Sequence, residues 1–298
     1  VTLEQLRIFA AVAGRQHVTR AAEALGLGQS AVSAAIAALE ARHGTRLFHR
    51  IGRGISLTEI GAQFLPAAQA VLAEAARAEA LLAGLTAGSV GTLTIQASQT
   101  IASYWLPRHL AAFRKNHPCI AVQLTIGNTA QAAAAVHAGT AELGFVEGAI
   151  EDKDLIAEAV ARDQLMILVA PSHPWAGRQV VTAADLASTA WVLREPGSGT
   201  RSAFEQALTL YGVAPGTLTI ALELPSNEAV RGAVEAGLGA TALSASVAAP
   251  SLEAGLLASV NFPLPDRKFL LLRHAARGLS PAARTFRDGL GASKRLLF

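Results

Sequence analysis

Apolar positions along the first 60 residues recur at helical spacing in three short runs, each closed by a glycine or a polar break. Thr2-x-x-Gln5 has the form of a capping box, and Leu3, Leu6, Phe9 and Ala13 follow it on one helical face. Thr19 is placed to cap a second helix carrying Ala21, Ala22 and Leu25, which Gly26 must end. Ser30 is placed to cap a third, with Val32, Ile36 and Leu39 turned inward. Leu47–Arg50, the Gly-rich Ile51–Gly54 and Ile55–Leu57 then predict a strand, a turn and a strand. The order is that of a winged helix-turn-helix over residues 1–58, a unit too small to be very stable alone.

The pattern then lengthens. Thr58 caps an Ala/Leu helix running to about Leu85, in which Leu65, Leu72, Ala75, Leu82 and Leu85 recur at spacings suited to pairing helices. Pro66 predicts a kink or a bent entry. The stripe can pack on its own domain or join two chains, and a helix linking two globular parts favours the second, a dimerising linker over 59–89. From residue 91 strands and helices alternate. Strands are predicted at 91–97, 120–126, 142–146, 164–170, 190–194, 217–223, 240–244 and 269–273, and helices near 103–116, 130–139, 200–211 and 227–237. Near-continuous apolar strands between helices imply an α/β fold with largely parallel sheets. The βα units form two sets, with crossovers near Arg162–Gln164 and Phe262–Lys268. This gives subdomain I as 90–162 plus 268–298 and subdomain II as 163–267, within an effector region of 90–298.

Composition narrows the function. Of 298 residues, 51% are hydrophobic and 16% charged, enough for sizeable cores. No apolar run reaches the length of a membrane span, and the N-terminus lacks the layout of a secretory signal. The single cysteine, Cys119, excludes an intramolecular disulfide and suits a reducing compartment, so a cytoplasmic protein without a membrane partner is expected. The net charge of +3 is carried entirely by residues 1–60, where seven Arg face four Glu. Only four of the 25 basic residues are Lys, and Arg forks suit phosphates and base edges.

Gly26-Leu-Gly28-Gln-Ser-Ala31 superficially matches a dinucleotide-binding turn. That fingerprint must follow a strand, whereas Arg20–Leu25 reads as a helix, so the turn belongs to a helix-turn-helix. The residues Leu6, Phe9, Thr19–Ala22, Leu25, Gln29–Ser33, Ile36, Leu39-Glu40, Gly44, Leu47-Phe48, Arg50, Leu57-Thr58 and Gly61 together resemble the LysR-type transcriptional regulators. Pro107, Phe113, Pro118 and the Arg194–Arg201 segment resemble the subset governing Rubisco operons and sulfur-compound metabolism. The resemblance implies two Rossmann-like α/β subdomains of periplasmic-binding-protein type behind the linker. It also implies a homodimer, often a dimer of dimers, on double-stranded operator DNA, with RNA polymerase a candidate partner. It places Gln29, Ser30 and Ser33 at the bases, and Arg50 and Arg53 of the wing on phosphate or in the minor groove. Thr19 and Arg20 join this set, Arg20 being either a phosphate contact or a plain surface charge. Ala34 and Ala35 stand where many members carry long polar side chains. Direct readout is therefore expected to be sparse, with weight on DNA shape.

A second site is expected at polar turns following strands: Ser98-Gln99-Thr100, Asn128-Thr129, and Gly197-Ser198-Gly199-Thr200-Arg201, with Glu147 nearby. Helix N-termini and hydroxyls favour anions, and turns at the carboxyl ends of parallel strands predict a crevice. Ser98, Thr129 and Thr200 can equally cap their own helices. The resemblance puts an effector between the two halves, expected as a sulfur oxyanion, a phosphorylated metabolite or a carboxylate. Gly197–Ser202 also follows a strand and opens a helix, with Glu223 near the spacing of a ribose-binding acid, so a nucleotide remains an alternative. Arg201 can pair with an anion or with Glu205. The eight histidines show no metal-ligand spacing, and no nucleophile elbow is present, so neither a metal nor a catalytic set is expected. A sensor is favoured over a solute-binding module or a nucleotide-dependent enzyme.

Overall fold

The computed structural model describes residues 1–51, 54–86, 91–148, 150–178 and 180–294, and its chain forms two compact units, Val1–Gly88 with 138–140 and Ser89–His137 with 141–298. In the first unit α1 (Leu3–Arg15), α2 (Val18–Leu25) and α3 (Gln29–His43) precede a hairpin of β1 (Phe48–Ile51) and β2 (Gly54–Leu57), then α4 (Glu59–Thr86). The Thr2–Gln5 capping box forms in both directions, at 3.1 and 3.0 Å. Two expected caps do not form. His17, not Thr19, caps α2, because the chain turns two residues earlier and the His17 ring accepts from the Arg20 N–H. Gly28, not Ser30, is the N-cap of α3, and no side chain satisfies that helix start.

Leu6, Phe9, Val12, Ala21, Val32, Ile36 and Leu39 make the core of this unit, and Phe9 stacks on Phe48 and Phe64. The first half of α4 belongs to it as well, since Phe64, Leu65, Ala68 and Leu72 pack on the same core. The Leu65–Leu72 part of the pairing stripe is therefore used within the unit, while the Leu82 and Leu85 side chains lie outside the described residues. α4 continues through Pro66 without interruption. No single helix among the described residues is long and apolar enough to cross a membrane.

The second unit holds two five-stranded sheets. One has the order β4-β3-β5-β12-β6, from β3 (Gly91–Ser98), β4 (Ile120–Gly127), β5 (Leu143–Glu147), β6 (Leu155–Asp163) and β12 (Arg267–His274). The other has the order β11-β7-β10-β8-β9, from β7 (Leu165–Val169), β8 (Ala190–Arg194), β9 (Thr219–Leu224), β10 (Ala240–Ser244) and β11 (Ala258–Ser259). Helices α5 (Leu106–Asn116), α6 (Thr129–Ala138), α7 (Gly199–Leu210), α8 (Asn227–Glu235), α9 (Ala245–Glu253) and α10 (Pro281–Lys294) complete it. The sheets are mixed rather than largely parallel: β12 runs antiparallel to both β5 and β6, and β7 antiparallel to β10 and β11. Strands that carry the chain from one sheet to the other arrive reversed.

The chain passes from the first sheet to the second between Asp163 and Leu165 and returns before Arg267. β6 itself is not visible in the sequence, because LIAEAVARD is rich in Ala and charge. It forms through its register with β12, where Val160 is skipped in a bulge between the Phe269 and Leu270 pairings. Each sheet has its own apolar core. Trp105, Phe145, Leu271 and Phe286 centre the first, and Trp191, Phe204, Ile167 and Leu193 the second.

Candidate DNA-reading and effector sites

In the first unit α2 and α3 meet at 108°, within the range of a helix-turn-helix. Gly26 makes the turn possible by taking φ +66°, a left-handed value that costs glycine nothing. Gln29, Ser30 and Ser33 all lie exposed on the first turn of α3, Arg20 is exposed on α2, and Thr19 is half-buried beside them. Ala34, Ala37 and Ala38 extend the same open face. Because nothing caps α3 and its first turn holds no carboxylate, the opening N–H groups and the positive end of the helix dipole are left for a phosphate. The hairpin is tied back by Glu40, which accepts from the N–H groups of Leu47 and Phe48 at 2.7 and 3.1 Å. A second tie runs from Ile55 N–H to the carbonyl of Gln16. Arg50 lies on β1, but its side chain, like all of Arg53, falls outside the described residues.

In the second unit the polar turns do converge, and on each other. Ser98 and Thr200 both donate to the Glu147 carboxylate, the latter at 3.3 Å, and Thr129 Oγ1 donates to the Glu147 carbonyl at 2.8 Å. None of these hydroxyls is spent on its own helix. The N-cap of α7 is Ser198, whose side chain makes no cap bond, and α6 is opened by a reciprocal Asn128–Gln131 pair at 2.9 and 3.0 Å. Ser98, Thr100, Thr129, Ser198 and Thr200 are buried, Gln99 and Asn128 half-buried. Close approach requires Gly199: a Cβ there would lie 2.0 Å from the Glu147 carbonyl and 2.4 Å from Thr129 Oγ1. The residues after Thr100 form a π-helical turn, Ile101–Trp105, before α5 begins, an irregularity frequent at binding sites.

Further bonds join the two sheets beside these turns. The Asn227 N–H donates to Gln99 Oε1 at 2.8 Å, its Nδ2 donates to Thr100 Oγ1 at 3.0 Å, and its Oδ1 accepts from the buried Arg194 at 2.6 Å. Gln99 and Tyr104 both donate to Glu228, at 2.7 and 3.2 Å. Burial and the facing Glu228 carboxylate raise the Tyr104 phenol above its ordinary value. Asn128 donates to Glu195 at 3.2 Å, and Arg194 forks onto the same carboxylate at 2.8 and 3.1 Å. Although burial pulls the other way, Arg194 and Asn128 hold that carboxyl below its ordinary value.

Arg201 turns away from the turns, to Glu205 at 2.8 Å and Glu223 at 2.6 Å. The local-carboxylate reading of Arg201 therefore describes its place. Arg194, Asn227, Asp163 and Arg267 of this network were not expected from sequence. Asn227 follows the same rule as the others, a polar residue where a helix follows a strand, and could have been found with it. Arg267 pairs with Asp163 at 2.7 Å and reaches Thr200 at 3.0 Å, while its Nη2 is buried without a partner.

Residues 3–62 match the bacterial regulatory helix-turn-helix protein, lysR family, and residues 86–294 match the LysR substrate binding domain. The chain belongs to the LysR family of transcriptional regulators. It is 37% identical over 290 residues to the HTH-type transcriptional regulator YeiE of Escherichia coli K12, covering 97% of this chain and 96% of that protein. It is 34% identical over 291 residues to a RuBisCO operon transcriptional regulator of Allochromatium vinosum, covering 97% and 95% of the two chains. The fold follows full-length CbnR, solved complexed with its target DNA, with a TM-score of 0.71 at 24% identity over 98% of this chain and all of that one. As a LysR regulator the chain pairs a DNA-binding winged helix-turn-helix with a small-molecule-binding domain of two α/β subdomains.

Proposed function

We propose that the α3 start reads operator DNA, and that a small anionic metabolite bound in the crevice between the two sheets alters operator binding or bending. The observation that carries the sensing half is the convergence of hydroxyls from both sheets on one buried point beside Arg267. Ser98 and Thr129 come from the first sheet's turns, Thr200 from the second's, and the free Arg267 Nη2 is an unused anion donor. A sulfur oxyanion, a phosphorylated metabolite or a carboxylate is the anion class that such hydroxyl and guanidinium donors would take. Binding without turnover is expected. The nucleotide alternative loses support, since its ribose acid, Glu223, is bonded to Arg201.

On the DNA side, Gln29 can bridge adenine N6 and N7, Ser30 and Ser33 give adaptable bonds, Thr19 and Arg20 lie toward phosphate, and Arg50 and Arg53 supply the wing's charge. Self-association supplies the second half-site. Its support is the exposed edge strand that ends each sheet, β4 with Ile126 and β9 with Ile220 and Leu222 open to solvent. RNA polymerase is a further proposed contact. The reading step is tested by the ratio of affinities for the gene's own upstream region and for random DNA. Gln29→Ala with Ser33→Ala should lower that ratio by about 1–3 kcal/mol for each lost base contact, and an unchanged ratio refutes their role.

A further inference from the structure

The crevice already contains an anion of its own. Glu147 ends β5, is 1% exposed, and takes the hydroxyls of Ser98 and Thr200, two of the donors that the proposed effector would need. Facing it are Ser98 from the end of β3, Thr129 from α6, Thr200 from α7 and Arg267 from β12. Behind Arg267 lies Asp163 of β6, which also accepts from Ser244 at 2.6 Å. Arg267 thus stands between two buried carboxylates, Nε 2.7 Å from Asp163 and Nη1 3.9 Å from Glu147. One cation against two carboxylates leaves this cluster with a negative excess. A second anion cannot enter at low dielectric unless one charge is removed.

We propose that the crevice takes up its anion together with one proton, and that Glu147 is the resident competitor which yields to it. The inference rests on the crevice reading given above. The proton comes from solvent onto a carboxyl oxygen of Glu147. The neutral acid then releases the Ser98 and Thr200 hydroxyls to the incoming oxyanion, and the free Nη2 of Arg267 completes the set. No covalent bond is made or broken other than that O–H. The exchange reaches the hinge, because Arg267 and Asp163 are paired neighbours on the two strands that cross between the sheets. Ligands that bring no proton of their own would bind better in acid, and Glu147 would select against multiply charged anions at higher pH.

Inorganic sulfate is the probe, since it stays fully ionised around neutral pH and any proton taken up belongs to the protein. Wild-type affinity should rise as pH falls from about 8 to about 5.5, by up to about tenfold per unit. Calorimetry in buffers of different ionisation enthalpy should show proton uptake with each sulfate bound. At about pH 8, Glu147→Gln should bind sulfate about tenfold or more tightly than wild type and take up no proton. Equal or weaker binding by Glu147→Gln, no binding in either protein, or the same pH slope in both overturns the proposal. Should that variant fold poorly by circular dichroism, Glu147→Asp, which keeps the charge, must retain the pH slope, and a flat slope there overturns it equally. Loss of sulfate in Thr100→Ala and Thr129→Ala without any gain in Glu147→Gln fails the proton coupling alone. A gain that survives both threonine changes places the anion elsewhere and fails the crevice reading itself.

Discussion

Replacing Arg267 by Gln removes a buried cation that bridges the two crossing strands. Its side chain is 5% exposed, its Nε lies 2.7 Å from Asp163, and its Nη1 reaches Thr200 at 3.0 Å. Among the described residues, the change leaves Asp163 the Ser244 hydroxyl and Glu147 its hydroxyl partners, both carboxylates still buried. Breaking a buried pair by deleting one partner costs about 3–5 kcal/mol, most of it the desolvated charge left behind. For a unit of this size each kcal/mol moves Tm by about 2–4 °C, so the fall should be about 6–20 °C. Tryptophan fluorescence reports it cleanly, since Trp105, Trp175 and Trp191 all lie in the effector unit. Asp163→Asn alone should be destabilising, but in the Arg267→Gln background it should recover much of the loss. The double-mutant cycle should give a coupling of about 2 kcal/mol or more. Additive losses below about 1 kcal/mol would show that the pair does not hold the crossing strands, and the reasoning would be wrong.

Three further outcomes follow from the same geometry. Gly199→Ala should unfold or strongly destabilise the effector unit because its Cβ would strike the Glu147 carbonyl, whereas Gly216→Ala, which meets nothing within 4 Å, should leave Tm nearly unchanged. In DNA binding, Arg53→Ala should weaken operator and random DNA alike and reduce the log–log salt slope by about one, a loss confined to one base position being the contrary result. His109 and His173 are held below their ordinary value of 6.5 by burial, so their contribution to stability is present above that value and is lost as pH falls through the lowered one. Tm should accordingly drop below about pH 6.5, and His109→Gln with His173→Gln should flatten the drop, as thermal melts across that range will show.

The helical and strand periods carried most of the fold, because Val32-Ile36-Leu39 and the apolar strands bury what their spacing says they should. Caps were read less well. Thr19 and Ser30 are good capping types, yet in each case the chain turns two residues earlier, at His17 and Gly28, where no side-chain preference announces it. For α3 that shift matters, since an uncapped start is what a phosphate can use. The strand-end hydroxyls were legible as a rule of topology, but their mutual satisfaction was not. It depends on Glu147, Thr200 and Arg267, which are joined only by folding. Arg267 and Asp163 are 104 residues apart, in segments that read as connections, and only the β6–β12 register brings them together.

Sensing and DNA reading meet in one experiment. Thermal-shift screening of sulfate, sulfite, thiosulfate, phosphorylated sugars and carboxylates supplies a ligand, and operator affinity is then measured by fluorescence anisotropy with and without it, in wild type and Thr129→Ala. A hit should change operator affinity or bending by a coupling of about 1–3 kcal/mol in wild type and have no effect in the variant. A ligand that shifts operator binding equally in both proteins would contradict the crevice as the sensing site.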